Sequence, residues 1–133
     1  MTTTAQIMRL LAVSRNLDAD ICAVAGAIHD ITTMETGKAE NHAKRSLEFI
    51  EPLMKEFNDT NEKYKITDAE IELLKEIIPQ HSDKDVISDN RYVETLKDAD
   101  AIDRYLQGVE TKEVEIPRLI KAFSDLGIAA AFM

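Results

Sequence analysis

The chain has 133 residues, with 25 Asp and Glu against 16 Lys and Arg and a formal net charge of −9. That length makes one domain able to bury about two thirds of its unfolded surface without disulfides, and the acidic balance excludes a nucleic-acid backbone as the expected partner, which would demand a basic footprint. No apolar run reaches the length of a bilayer span and the Met1-Thr2-Thr3-Thr4 start is no signal peptide, so neither membrane insertion nor secretion is expected.

A first helix is expected from about Thr3 to Arg15, with Ile7, Met8, Leu10 and Leu11 on one side together with Ser14 and Arg15. Asn16-Leu17-Asp18 breaks it, and Asp18 is placed to cap a second helix with Asp20 in its positive first turn. Ile21, Ala25 and Ile28 form the apolar stripe of that second helix. Cys22, between Ile21 and Ala23, reads as a small hydrophobe. As the single cysteine it has no intrachain partner, which suits a reducing, cytoplasmic compartment. Residues 32–40, with Gly37, read as a loop, and Asn41 caps a third helix whose stripe is His42, Ser46, Phe49 and Leu53. Pro52 is expected to kink that helix or end it early, leaving residues 58–64 as a polar connector.

Thr67-Asp68-Ala69-Glu70 is a capping box that opens a fourth helix. Ile71, Leu74, Ile78 and His81 share its inner face, and Pro79 loosens the turn that bears His81. A charged loop over 82–90 leads to a helix over 92–106, with Val93, Leu96, Asp100 and Asp103 on one face and Gly108 as its C-cap. Pro117 opens a last helix through Leu119, Ile120 and Phe123 toward Ile128 and Phe132. With no strand, repeat or low-complexity segment in the pattern, the expected class is all-α, a single compact helical domain over 1–133 built from five or six helices.

The chemistry gathers on the apolar faces of these helices. The second helix is small and apolar through Ala25-Gly26-Ala27-Ile28 and ends on His29 beside Asp30, and such groups are rarely buried unless something pairs them. All three histidines of the chain, His29, His42 and His81, take core-facing positions, and Asp100 faces inward with them. One inward histidine is more often a hydrogen-bonded core residue than a ligand. Three of them with two carboxylates fit a shared divalent cation better, and imidazole mixed with carboxylate suits Mn, Fe, Co, Ni or Zn, with Mg less natural. For Asp98 and Asp103, on the helix of Asp100, the plain alternative is an exposed helix acid.

Four ordered stretches carry a family resemblance: Ala25-Gly26-Ala27-Ile28-His29-Asp30-Ile31, Asn41-His42-Ala43, Ile77-Ile78-Pro79-Gln80-His81-Ser82, and Leu96-Lys97-Asp98-Ala99-Asp100-Ala101-Ile102-Asp103. Over about residues 5–108 the chain resembles the HD superfamily of metal-dependent phosphohydrolases. The resemblance implies an HD-domain fold and hydrolysis of a small phosphomonoester or phosphodiester, nucleotides included, by metal-activated water. It implies a metal held by His29, Asp30 and Asp100. His42 and His81 match histidines that bind a second ion or contact substrate phosphate, and Asp30, His42 and His81 are the expected catalytic groups. Asp98 and Asp103 then orient ligands or a lysine, and Lys38, followed by Lys97 and Arg45, is the expected phosphate-binding cation.

One departure from the family matters most. Its first metal-ligand histidine, counted back from His29, falls at or just before Met1, so a native N-terminal segment carrying that ligand is expected to be missing. The alternative is a degenerate, non-catalytic HD module that binds metal or nucleotide and regulates a partner. Thr32, where many members have glycine, is a smaller departure. The expected partners are a small phosphorylated substrate and a second copy of the chain docked through the apolar C-terminal helix.

Overall fold

Helix α1, Thr2–Arg15, is the first element of a computed structural model that describes residues 2–30, 45–81 and 86–128. Its buried stripe runs Thr4, Ile7, Met8, Leu11 and Ala12. Leu10, expected on that stripe, is 60% exposed, because one step along a helix turns a side chain by about 100° and Leu10 falls beyond the edge of the buried face. Asp18 starts α2, Ala19–Ile28, its carboxylate accepting from the backbone N–H of Asp20 at 3.0 Å and of Ile21 at 3.3 Å. These bonds satisfy donors that a helix N-terminus otherwise leaves open.

No other pair of described helices packs as extensively as α1 and α2. Gly26 permits it: a Cβ there would lie 2.8 Å from the Cα of Ala5 and 2.9 Å from the Thr4 carbonyl oxygen. The small-residue run that looked merely apolar in the sequence is thus a close-contact surface. It sits one turn before His29, so the packing that brings the two backbones together also positions the start of the candidate site.

Helix α3 spans Leu47–Thr60, and its buried line is Ser46, Ile50 and Met54, with Phe49 and Leu53 at the flank. The expected stripe through Ser46, Phe49 and Leu53 is therefore turned by one residue; Asn41 and His42 lie outside the described residues. Pro52 does not end this helix, which continues to Thr60. Pro52 and Glu48 are both exposed, so the carbonyl of Glu48 that loses its N–H partner faces water instead of the core. The expected connector consequently begins later. Asn58 clamps it, accepting from the Ile66 N–H at 2.7 Å and donating to the Ile66 carbonyl at 2.8 Å.

Helix α4, Asp68–Ile77, opens on the capping box read from the sequence: Thr67 Oγ1 accepts from the Glu70 N–H at 3.1 Å and Glu70 Oε1 accepts from the Thr67 N–H at 2.9 Å. It tightens at Pro79 into a 3-10 turn, Ile78–Gln80, that delivers His81. Helix α5, Arg91–Leu106, is capped by Asn90, which accepts from the Tyr92 N–H at 2.9 Å. It ends at Gly108, whose φ of +80° is the left-handed conformation of a C-cap glycine. α5 packs against α1, α2, α4 and the last helix, and so is the axis of the domain.

After a 3-10 turn at Glu113–Glu115, α6 spans Ile116–Asp125 with Pro117 in its first turn. The expected continuation to Ile128 does not occur. Gly127 adopts φ +77°, and the N–H groups of Gly127 and Ile128 turn back to the carbonyls of Ser124 and Phe123, a left-handed cap that closes the helix. Phe132 lies outside the described residues, as does most of the tail expected to dock a second copy. The described residues contain six α-helices and no strand, an all-α fold, and none of these helices is long and apolar enough to cross a membrane.

Candidate metal centre

His29 is the residue that follows α2, and His81 the one that follows the Pro79 turn; both are buried, with 2% and 1% exposure. Their backbones come from elements some fifty residues apart in the chain, yet the rings meet edge to face with centroids 5.1 Å apart. Each Nδ1 lies 2.7 Å from a carbonyl oxygen of its own element, Gly26 for His29 and Ile78 for His81. A carbonyl can only accept, so each Nδ1 carries the proton and donates it. Both Nε2 atoms are thereby turned to the same region.

Carboxylates converge on those Nε2 atoms. Asp30 Oδ2 is 3.2 Å and Asp100 Oδ1 is 3.4 Å from His29 Nε2, and Asp30 Oδ1 is 3.5 Å from His81 Nε2. One ligand atom from each of His29, Asp30 and His81 lies within 4.8 Å of the others. Asp100 reaches the same nitrogen of His29 from α5. Two imidazoles and two carboxylates of α2, the Pro79 turn and α5 are therefore brought to one place.

The electrostatics of this cluster call for a positive charge. Burial pushes the His29 imidazole down, but the carboxylates of Asp100 and Asp30 outweigh it and bring the group up to about 10. For Asp30 burial acts upward, and the imidazoles of His29 and His81 hold it well below the usual carboxylate range. The pair of acids that favours a proton on Nε2 favours a cation at the same nitrogen. Fixed Nδ1–H tautomers, two Nε2 lone pairs and hard oxygen donors make a donor set that fits a divalent first-row metal.

Lys38 and His42 lie outside the described residues. Arg45 is half-buried just before α3. Lys97, expected to bind phosphate, is instead one of the most buried side chains, its Nζ 2.9 Å from Glu94 Oε2 and donating to the Val86 carbonyl at 2.7 Å. The carboxylate of Glu94, three residues before it on α5, takes its charge.

Asp98 and Asp103 are buried, which rules out the exposed-acid reading, but neither is placed as expected. Asp98 receives Arg15 at 2.7 Å and Arg118 at 2.8 Å, while Asp103 accepts from Thr4 Oγ1 at 3.0 Å. Two residues along a helix from Asp100 is about 200°, so Asp98 points to the far side of α5. It ties α1 to α6 through α5. Arg15, Glu94 and Arg118 belong to that network and were not singled out by the sequence pattern, since each reads locally as an ordinary helix charge.

The HD domain family model matches residues 1–105 of the chain. No curated protein and no solved structure matches it.

Proposed function

The chain belongs to the HD domain family, a superfamily of metal-dependent phosphohydrolases, and from that premise we propose that it hydrolyses a small phosphomonoester or phosphodiester, with nucleotides among the candidate substrates. The observation that carries this reading is the convergence of His29, Asp30, His81 and Asp100 with both imidazole Nε2 atoms turned toward carboxylates. These four would hold the cation. When bound, a divalent metal lowers the pKa of water and offsets charge on phosphoryl oxygens.

The side chains supply the rest. The carbonyls of Gly26 and Ile78 lock the imidazoles in the tautomer that presents Nε2. Asp30 spans both histidines, and its side chain is 40% exposed, so it is the carboxylate that water can reach and the group we assign to accept a proton from the nucleophile. Asp100, 13% exposed, is the anchoring ligand that α5 holds in place. His81 is the second imidazole at the centre and, where it does not ligate, the group that hydrogen-bonds a phosphate oxygen. A reducing, cytoplasmic setting fits the single buried cysteine.

The test is metal content together with turnover. Purified protein supplied with Mn²⁺ or Co²⁺ is expected to bind metal and to release phosphate or nucleoside from a phosphoester panel. His29→Ala should weaken metal affinity by more than about 100-fold, beyond the effect typical of removing an outer partner, and should abolish release. Metal binding without turnover on any phosphoester would instead assign a non-catalytic module, and undiminished activity in His29→Ala would remove the proposal.

A further inference from the structure

On the opposite side of α5 from Asp100 the described residues form a cleft of about 700 Å³. Its walls come from the C-terminal end of α1, the first half of α5, the loop over 86–90 and α6. None of the four metal-centre residues lines it. Four of its lining residues are Arg or Lys and three are Asp or Glu, whereas the chain as a whole has 16 against 25. Cations are therefore gathered here against the general charge of the protein.

Their arrangement separates a neutralised floor from a basic rim. Arg15 and Arg118, whose side chains are 13% and 11% exposed, clamp Asp98 between them. Arg15 also meets Asp125 at 3.0 Å, and Arg118 meets Glu94 at 3.1 Å. Glu94 is further engaged by Lys97 and by the Ser88 N–H. All three carboxylates of the cleft thus already face guanidinium or ammonium groups. Arg91 and Lys121 are exposed at the same cleft, and Arg91 donates one guanidinium N–H to the Arg15 carbonyl, a neutral acceptor, so that this bond takes up none of its charge. Ile87 and Val114, 84% and 58% exposed, add apolar wall that nothing in the described structure covers.

We propose that this cleft is a second ligand site, for a small organic polyphosphate of the nucleoside di- or triphosphate class, distinct from the metal centre. The phosphates lie against Arg91 and Lys121 and the uncharged part against Ile87 and Val114, while the neutralised floor presents no free carboxylate to repel the anion. This goes beyond the hydrolytic reading and does not depend on it.

The experiment is calorimetric titration of the whole protein with ATP in a chelating buffer, where no divalent ion is present to bridge phosphates to the metal centre. Saturable one-to-one binding is expected, with inorganic triphosphate and adenosine each at least tenfold weaker. Arg91→Ala combined with Lys121→Ala should weaken ATP at least tenfold, and Lys121→Glu, a surface change on α6, should do so on its own. His29→Ala should leave the affinity as it was. No saturable binding overturns the proposal. So does equal affinity in both rim variants, and so does a loss confined to His29→Ala, which would place the anion at the metal centre. Triphosphate binding as tightly as ATP would overturn the organic class by showing that the apolar wall contributes nothing.

Discussion

At the scale of single residues the most consequential side chain is one that is not there. Gly26 lets α1 and α2 approach, and its carbonyl also receives the Nδ1–H of His29. Gly26→Ala gains up to about 1 kcal/mol of helix propensity, but its Cβ would collide with backbone, which cannot swing aside as a flexible side chain can. A net destabilisation of about 1–2 kcal/mol is expected, read as a lower denaturant midpoint, together with weaker metal binding as His29 shifts. Cys22 makes a second prediction at this scale. Burial, with the Asp18 charge adding to it and Arg15 opposing it, pushes the thiol up to about 12. The folded-state value is above the unfolded one, so this group's contribution to stability is intact below about pH 8.5 and is lost as pH rises toward 12. A thiol reagent at pH 8 should modify the folded protein more than ~100-fold slower than the urea-unfolded chain.

At the scale of elements, local capping chemistry governs where helices begin, and tertiary contact governs how far they run. The Thr67–Glu70 box and the Asp18 cap are legible because each uses a side chain within three residues of the N–H it satisfies. Pro52 misled because its penalty is local while the packing of Ile50 and Met54 on either side of it is not. The helix tolerates the lost bond on its wet face. Pro52→Ala restores an N–H to the sixth position of α3, and the gain exceeds the entropy that proline removes from the unfolded chain. A rise in stability of about 1–2 kcal/mol is expected, measured as an increase in thermal midpoint. Gly127 is the opposite lesson: its left-handed φ ends α6 where apolar periodicity alone would have carried it on.

For the whole molecule, α5 is both the structural axis and the divider between two polar assemblies. Asp100 leaves it toward the histidines and Asp98 leaves it toward Arg15 and Arg118. The Asp98 assembly joins three helices distant in sequence, and its groups are largely out of water. Asp98→Ala would leave two guanidinium groups facing each other without their shared carboxylate, and a loss of about 3–5 kcal/mol is expected from chemical denaturation. An exposed pair such as Arg9–Asp20, with side chains 52% and 88% exposed, should cost under about 1 kcal/mol to remove. A small loss on Asp98→Ala would mean that the network is solvated and the cleft floor is not the fixed platform described above.

The sequence by itself determined the all-α class, the caps at Asp18, Thr67 and Gly108, and the inward-facing positions of His29, His81 and Asp100, because helical period and cap chemistry act over three or four residues and leave a local trace. The tertiary structure alone decided which ionisable groups meet. It paired His81 with Asp30, turned Asp98 toward two arginines and gave Lys97 to Glu94, because a charge settles on whichever opposite charge the packing of distant helices brings within a few ångströms, and no spacing along the chain records that choice.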